Sequence, residues 1–316
     1  MQKVLITGGS GLVGTEFSAL LKDKGYEVAH LTRNKKDNYP YQQFEWDIKK
    51  QEMEEEAIRF ADVIIHLAGA GVADEKWTDK RKKIIIDSRT ESAALLHKTI
   101  AKMPDEAPEY FISASAIGYY GMDTGDKLVD EDTNAGNDFL AEVTKKWEAA
   151  ADQFKSLKIP TAKIRIGIVL TDKGGALPQL AKPIKLMAGA PLGSGKQWMS
   201  WIHIDDLVRL FLHVLENKLT GVYNGVGFNP ATNKEVTKAV AKVLDKPLIL
   251  PNVPAFAMKL LLGEMAQMVL GGNKVSAEKT LKSGFEFKFE KLGDALEDIY
   301  KAPLTPKGGT FLTDLS

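Results

Sequence analysis

The sequence predicts an α/β protein, built on a Rossmann-type, doubly wound parallel sheet with a smaller, mainly helical C-terminal lobe. Two observations predict this class. Short apolar runs alternate with helical patterns of about 10 to 20 residues through the first half of the chain, which is typical of βαβ units. A glycine-rich turn also joins the first apolar run to the first helical pattern, as in dinucleotide-binding folds.

The elements follow in chain order. The apolar runs that predict buried strands are 4–6, 28–31, 63–67, 110–113 and 162–169. Helical patterns run from Phe17 towards Gly25, end near Asp62, and recur at about 88–102 and 139–155. Each run is short enough for a strand and each pattern long enough for a crossover helix, so the strands are expected to lie parallel.

The rhythm changes after Leu170, where glycines and prolines break the chain into loops and short helices. A helix at 201–215 and a strand at 221–226 are expected to return to the sheet, and further helices are predicted at 234–244, 254–270 and 276–284. We therefore predict a cofactor-binding domain of residues 1–170 plus about 201–228. Residues of about 171–200 and 229–316 form the predicted substrate lobe.

Composition narrows the function. The 316 residues are 44% hydrophobic, and 42 basic side chains balance 42 acidic ones, so no net positive field favours nucleic acid. A small-molecule partner is expected instead. The chain has no cysteine, which excludes disulfides and thiolate chemistry and fits a cytoplasmic location. We expect no export signal and no membrane association, because Lys259 and Glu264 interrupt the apolar stretch 251–272.

Gly8, Gly11 and Gly14 form the turn behind the first strand. Glycines there allow a sharp turn, a close approach to a pyrophosphate, and tight packing of the helix on the strand. A purely structural turn is the alternative. The position of this turn, directly between a Val-Leu-Ile strand and an amphipathic helix, favours dinucleotide binding.

The end of the second strand favours NADP(H) over NAD(H). An NAD-binding protein usually has a carboxylate there for the ribose 2′-hydroxyl, whereas this chain has Arg33 and no carboxylate until Asp37. A guanidinium is suited to bind a 2′-phosphate. The alternative, a solvated basic loop, is the better interpretation of Lys35 and Lys36.

Several segments resemble the extended short-chain dehydrogenase/reductase superfamily, and more narrowly its atypical, epimerase-like subgroup. The superfamily motifs are TGGSGLVG at 7–14, HLAG at 66–69, SASAIGYYG at 113–121 and WIHIDDL at 201–207. The subgroup motifs are SASAIGYYG again, DEKW at 74–77, GNDFLA at 136–141, GGAL at 174–177, PLGSG at 191–195 and LGEM at 262–265. The likeness spans nearly the whole chain.

The resemblance implies a seven-stranded, mostly parallel NAD(P)-binding sheet with a small C-terminal lobe over the nicotinamide. It also implies cofactor roles for individual residues. Backbone donors to the pyrophosphate would be Leu12 and Val13, the adenine would lie between Asp47 and Ile48, the ribose would pass Leu67, Ala68 and Gly69, and Ser88 would face the cofactor cleft.

The chain departs from the family at the catalytic residues. Typical members use a Ser or Thr that binds the substrate oxygen, a Tyr that acts as acid and base, and a Lys four residues later on the same helix face. Ser115 matches the first role, with a strand-capping hydroxyl as the alternative. Phe139 and Val143 occupy the other two positions, and no tyrosine is followed by lysine four residues later.

Tyr119 or Tyr120 is the best remaining phenol for proton transfer, and both could instead form the cleft wall. The predicted substrate cleft contains Lys196, Gln197, Trp198, Ser200 and His203, although a lone histidine is more often structural. No metal site is expected. The sequence thus predicts an NADP(H)-binding oxidoreductase or epimerase-like enzyme acting on a small polar molecule, or alternatively a cofactor-binding sensor or interaction protein without turnover.

Overall fold

The computed structural model describes residues 1–301, so the predicted end of the C-terminal lobe, 302–316, lies outside the described residues. The strands are β1 Lys3–Thr7, β2 Glu27–Thr32, β3 Gln42–Asp47, β4 Glu52–Met53, β5 Val63–His66, β6 Tyr110–Ala116, β7 Leu128–Val129, β8 Thr161–Ile166, β9 Ile168–Leu170, β10 Trp198–Met199, β11 Trp201–His203, β12 Gly221–Gly225, β13 Ala231–Thr232 and β14 Lys274–Val275.

The helices alternate with these strands through the first half of the chain. They are α1 Leu12–Asp23, α2 Glu56–Phe60, α3 Asp79–Ala101, α4 Phe139–Asp152, α5 Ala176–Lys185, α6 Ile204–Glu216, α7 Asn233–Val243, α8 Ala255–Leu262, α9 Gln267–Leu270, α10 Glu278–Lys282 and α11 Leu292–Lys301. Short 3-10 turns occupy Pro104–Glu106, Ile117–Tyr120, Gln153–Leu157 and Gly263–Ala266.

The main sheet confirms the predicted fold class. Its eight strands lie in the order β12-β8-β6-β5-β1-β2-β3-β4. The first seven in this order are parallel, and the two-residue β4 adds an antiparallel edge to the seven strands that the resemblance implies. The strand order reverses direction at β1, between β2 and β5. In open α/β sheets such a switch point opens a crevice at the carboxyl ends of the strands.

Helices cover both faces of this sheet. On one face α1 and α6 pack together, with the Phe17 and Phe211 rings 5.6 Å apart. On the other face α2, α3 and the 3-10 turn after α4 bury Ile58, Leu96 and Phe154, whose ring stacks on Phe111 at 3.7 Å. Both faces of the strands are therefore apolar, as the continuous hydrophobic runs predict.

The region after Leu170 differs from the sequence prediction in its details. The predicted helix at 201–215 begins at Ile204, because Trp201–His203 is a strand paired with Ile168–Leu170 outside the main sheet. The predicted strand 162–169 divides at Gly167 for the same reason. Helix α11, which the sequence did not predict, packs with α5 and α7 into a separate apolar cluster.

The remaining predicted C-terminal helices are shorter than expected. The pattern at 254–270 divides into α8, a 3-10 turn and α9, and the one at 276–284 contracts to α10. Helix α8 has no buried residue, and Phe256, Leu260 and Leu261 are exposed. Within residues 1–301, no helix is both long and apolar enough to cross a membrane.

The junction between β8 and β9 gives a testable consequence. A methyl group on Gly167 would lie 2.3 Å from the Ser200 carbonyl oxygen, which accepts a hydrogen bond from the Ile168 N–H. Because the oxygen that the methyl group would meet belongs to the backbone and already holds Ile168, Gly167→Ala should lower the free energy of unfolding by about 2 kcal/mol or more, measured by urea denaturation. The control is Gly293→Ala, where the methyl group meets nothing within 4 Å. Equal stability of the two variants would contradict the tight junction.

Candidate functional site

A groove of about 990 Å³ opens where the sheet order reverses, at the carboxyl ends of β1, β2, β3 and β5. We call it the strand-end groove. The predicted cofactor residues among its lining are Gly8, Gly11, Arg33, Asp47, Ile48, Leu67, Ala68, Gly69 and Ser88. The structure thus brings together residues from four separate strand ends and from α3, as a parallel sheet requires.

The phosphate turn, residues 8–14, brings α1 against β1. Gly8 has a φ of +70°, and a methyl group on Gly14 would lie 2.4 Å from the Gly8 carbonyl oxygen. Only glycine fits this approach. The N–H groups of Leu12 and Val13, in the first turn of α1, have no hydrogen-bond partner among the described residues. A helix start with free N–H groups attracts anions.

Arg33 stands at the end of β2 and lines the groove. Its side chain has no hydrogen bond or ion pair with residues 1–301. Its neighbour Lys35, by contrast, pairs with Glu54 at 2.6 Å. A free guanidinium in a groove is available to an anionic ligand, which supports the distinction drawn from the sequence between Arg33 and Lys35. Lys36 also lines the groove, and its interpretation as a solvated side chain stays a prediction.

The loop after β5 forms another wall of the groove and is held by hydroxyl groups. Thr7 Oγ1 accepts from the N–H groups of Leu67 and Ala68, each at 3.2 Å. Ser88 Oγ accepts from the Ala70 N–H at 2.9 Å and donates to the Ile85 carbonyl at 3.1 Å. Ser88 therefore fastens this wall to α3, while its side chain still borders the groove.

The predicted catalytic residues lie at the end of β6, outside the lining of the groove. Ser115 is 1% exposed, and its hydroxyl donates to Glu148 Oε1 at 2.7 Å. Glu148 also accepts two hydrogen bonds from Arg165, at 2.8 and 3.1 Å. The Ser115 hydroxyl is thus part of a buried ion-pair network between α4 and β8.

Tyr120 belongs to the same network. Its hydroxyl donates to Asn224 at 2.7 Å and accepts from Arg165 at 3.1 Å. Burial raises the pKa of Tyr120 to about 12, against the opposing effect of Arg165. A phenol that holds its proton so firmly, and that already donates it to Asn224, is a weak acid or base at neutral pH.

Tyr119 differs from these two residues. It is half-buried, and its ring lies 3.4 Å from the guanidinium carbon of Arg165. Its hydroxyl makes no hydrogen bond with any described residue. Phe139, which the resemblance places at the position of the family tyrosine, packs edge-on against Trp77 at 4.8 Å, and Val143 is buried. Tyr119 is therefore the predicted catalytic phenol with a free hydroxyl.

The residues predicted to form the substrate cleft do not converge on the strand-end groove. Ser200 is fully buried and bridges the backbone of Asn273 and Val275. His203 is 1% exposed and caps α6 by accepting the Asp205 N–H. These two side chains are structural in this arrangement.

The other three members of the predicted cleft lie nearer the surface. Lys196 is exposed, Gln197 donates to the carbonyls of Leu192 and Val269, and Trp198 donates to Asp126 at 2.8 Å. Their assignment to a substrate cleft stays a prediction.

One histidine cluster has the composition of a metal site. His203, Asp205 and Asp298 have ligand atoms within 4.8 Å of one another. Lys288 already supplies a cation there, 3.3 Å from Asp205.

Sequence reasoning missed Glu148 and Arg165, and also His30 and Tyr39, which line the groove. One signal was available for the ion pair. Lys163 and Arg165 alternate in an otherwise apolar strand, so both point to one face of a buried sheet and require acidic partners there. No comparable signal marks Tyr39, because its partner is set by the tertiary fold.

Comparison with known families matches residues 4–145 and 169–226 to the NAD dependent epimerase/dehydratase family. Residues 253–299 match a domain of unknown function, DUF1731. The chain is 38% identical to the Epimerase family protein SDR39U1 homolog, chloroplastic, of Arabidopsis thaliana, over 94% of this chain and 86% of that protein. It is 32% identical to the Epimerase family protein YfhF of Bacillus subtilis, over 94% and 97%.

Comparison with solved structures also finds proteins that are named as epimerases. The human epimerase family protein SDR39U1 (isoform 2), crystallised with NADPH, superposes with a TM-score of 0.83 at 32% identity, covering 95% of this chain and 99% of that one. The UDP-glucuronic acid 4-epimerase of Bacillus cereus, in complex with UDP-glucuronic acid and NAD, superposes with a TM-score of 0.74 at 20% identity, covering 95% and 98%. At 20% identity, the likeness to the Bacillus cereus epimerase shows only that the two chains have the same fold.

The buried ion pair predicts a large difference between two glutamates of α4. Glu148→Ala leaves the Arg165 guanidinium buried without its carboxylate, so the free energy of unfolding should fall by about 3–5 kcal/mol. Glu142→Ala removes only an exposed pair with Lys146 and should cost about 0.5 kcal/mol or less. Urea denaturation measures both. A loss at Glu148 no greater than at Glu142 would show that the pair is not desolvated.

Two buried histidines predict an acid-sensitive fold. Burial lowers the pKa of His30 and of His66 to about 4, from an ordinary 6.5. The unfolded chain therefore binds more protons between these values, and stability falls as the pH drops from about 6.5 towards 4. Each histidine contributes a slope of up to about 1.4 kcal/mol per pH unit. His30→Gln should reduce the slope of the unfolding free energy against pH by up to about 1.4 kcal/mol per pH unit, which corresponds to one proton. An unchanged slope would mean that burial does not lower the pKa of His30 in the native state.

Proposed function

Because the chain belongs to the NAD dependent epimerase/dehydratase family, we propose that it binds NADP(H) in the strand-end groove and acts as an oxidoreductase or epimerase-like enzyme on a small polar molecule. The observation that carries the cofactor assignment is Arg33, a guanidinium at the end of β2 that lines the groove and has no partner among residues 1–301. NADP(H) carries a 2′-phosphate, and NAD(H) does not.

The residues present fit this cofactor. The N–H groups of Leu12 and Val13 suit the diphosphate, since they lie at the positive end of the α1 dipole. Asp47 and Ile48 border the part of the groove proposed for adenine. The human relative crystallised with NADPH supports the same choice. When bound, the nicotinamide would supply or accept a hydride at a substrate carbon.

We assign the proton-handling role to Tyr119. Its hydroxyl is free among the described residues, and its ring rests on the Arg165 guanidinium, which holds the phenol at the end of β6. Ser115 and Tyr120 stabilise the position of Arg165 beneath the Tyr119 ring, because each of their hydroxyls is hydrogen-bonded within the Glu148–Arg165 network. The substrate oxygen would therefore meet one phenol, in place of the usual serine, tyrosine and lysine.

A second function is favoured by a specific observation. Phe139 and Val143 fill the positions of the family tyrosine and lysine with apolar contacts, so neither can transfer a proton. A protein that binds NADP(H) and reports it to a partner, without turnover, needs no such group. The strand-end groove suits an enzyme and a sensor equally, and a measurement of turnover distinguishes the two functions.

We further propose that residues 1–170 with about 201–228 bind the cofactor and that the remaining C-terminal segments cap it. The parallel pairing of β12 with β8 supports the return of the chain to the main sheet. The balanced charge and the absence of cysteine support a small-molecule partner and a cytoplasmic location.

Arg33→Ala should weaken NADPH binding by about tenfold or more and leave NADH binding unchanged, because only NADPH carries the phosphate that the guanidinium binds. Isothermal titration calorimetry measures both dissociation constants. Lys35→Ala is the control, since Lys35 pairs with Glu54. Equal losses for the two cofactors would refute the assignment of Arg33 to the 2′-phosphate.

Turnover is tested by following NADPH oxidation and NADP⁺ reduction, at the nicotinamide absorbance, against a panel of small carbonyls, alcohols and nucleotide sugars. The enzyme proposal expects activity on at least one class, reduced at least tenfold by Tyr119→Phe with NADPH affinity retained. Cofactor binding without activity on any member of the panel favours the sensor.

A further inference from the structure

His30 is a buried histidine beneath the strand-end groove that the proposed reaction does not use. It lies in the middle of β2 and is 2% exposed. One ring nitrogen, Nε2, lies 2.7 Å from Ser18 Oγ on α1. The other, Nδ1, lies 2.8 Å from the hydroxyl of Tyr39, in the segment between β2 and β3. His30 thus bridges α1 and the segment between β2 and β3.

The hydrogen bond from Ser18 to Gly14 determines which atoms donate in the two hydrogen bonds of His30. Ser18 Oγ donates its single hydrogen to the Gly14 carbonyl at 2.6 Å. It must therefore accept from His30, so Nε2 carries the ring proton and Nδ1 is bare. Nδ1 in turn accepts from the Tyr39 hydroxyl. A directed series runs from Tyr39 through His30 and Ser18 to Gly14.

The same ring also supports the phosphate turn by contact. A methyl group on Gly9 would lie 2.5 Å from three atoms of the His30 ring, so the turn rests directly on the imidazole. Tyr41 stacks on the ring with centroids 4.7 Å apart. His30 is therefore enclosed by residues of the phosphate turn, α1 and the 33–41 segment.

The 33–41 segment begins with Arg33 and is held on two sides. Towards β3 and the end of β4, Gln43 exchanges two hydrogen bonds with the backbone of Lys36, and Lys35 pairs with Glu54. Towards α1, the Tyr39 hydroxyl bonds to His30. The second attachment is the one that joins this segment to the element whose first turn is proposed to hold the diphosphate.

We propose that His30 is a positioning residue for cofactor selectivity, which fixes the distance between the diphosphate site at the start of α1 and the 2′-phosphate site at Arg33 through the Tyr39–His30–Ser18–Gly14 series. This inference rests on the proposed binding of NADP(H). The diphosphate and the 2′-phosphate of NADP(H) are held at a fixed range of distances by covalent bonds, so binding both depends on two sites held at a matching separation. NADH, which lacks the second group, is indifferent to that separation.

His30 acts by position and not by charge. Burial lowers its pKa to about 4, so the ring is neutral at physiological pH. A neutral imidazole with both nitrogens occupied offers a phosphate no attraction of its own. Its effect must therefore reach the cofactor through the segments that it holds.

The test compares two tyrosines of the same segment. Tyr39→Phe removes the hydroxyl that bonds to His30 and keeps the ring, which packs edge-on at 5.4 Å. Tyr41→Phe is the matched control, because the Tyr41 hydroxyl has no hydrogen bond within the described part of the chain. Calorimetric titration with NADPH and NADH should show a three- to tenfold weaker NADPH affinity for Tyr39→Phe with unchanged NADH affinity. Tyr41→Phe should match the wild type for both.

A second measurement needs no cofactor. Trypsin cleaves after Arg33, Lys35 and Lys36, so limited proteolysis of the unliganded protein reports how firmly the segment is held. We expect cleavage at these sites to be at least threefold faster in Tyr39→Phe than in Tyr41→Phe. Equal cleavage rates would show that the tether, the hydrogen bond from Tyr39 to His30, does not hold the segment, whatever the cofactor results.

The outcomes separate this inference from the proposed function. A wild-type protein that binds neither cofactor sinks the proposed function and the selectivity role together, while the cleavage rates still decide the tether. A wild type that prefers NADPH, with the same preference in Tyr39→Phe, preserves the proposed function and overturns the selectivity role. Both expected differences are required to sustain the inference.

Discussion

The close approach of α1 to β1 is the constraint on which the groove depends. No side chain separates the two elements, because a methyl group on Gly14 would collide with the Gly8 carbonyl oxygen at 2.4 Å. The free N–H groups at the start of α1 consequently reach the carboxyl edge of the sheet. One turn later Ser18 is near enough to His30 for a hydrogen bond of 2.7 Å. Anion attraction and the support beneath it thus follow from the same contact.

The carboxyl ends of β6 and β8, on the same edge of the sheet as the groove, are organised by a buried charge pair. Glu148 and Arg165 satisfy each other's hydrogen bonds and occupy Ser115 and Tyr120 as well. A buried ion pair is costly to break and tolerates few alternative arrangements, so it fixes α4 against β6 and β8. Proton transfer at the ends of β6 and β8 is therefore limited to side chains that are not hydrogen-bonded to this ion pair. Tyr119 is such a side chain, since only its ring contacts Arg165.

The strands nearest the centre of the sheet were predictable because they are apolar on both faces, and the glycine turn was predictable because its spacing has one dominant use. Strand β3 was missed, since its alternating QQFEWD pattern buries only Phe44 and Trp46 and lies near the sheet edge. Helix α11 and the boundary at Ile204 depend on partners distant in sequence.

At the site, Arg33 was found from its position after a strand, which is local information. The partners of Ser115 and His30 were not found, because hydrogen bonds between α4 and β6, or from β2 to α1 and to the 33–41 segment, exist only once the chain is folded. Periodicity identifies which face of an element is buried. It does not identify the polar atom that meets it there.

The strand order has a consequence for synthesis on the ribosome. Starting from β1, the next three strands add outward on one side, and β5, β6, β8 and β12 add outward on the other, each in order of translation. No later strand has to insert between earlier ones, so the nascent chain can extend a growing sheet at its edges. The walls of the groove are all translated before α4 emerges, which lets the nucleotide-sized cleft form while the C-terminal lobe is still being made.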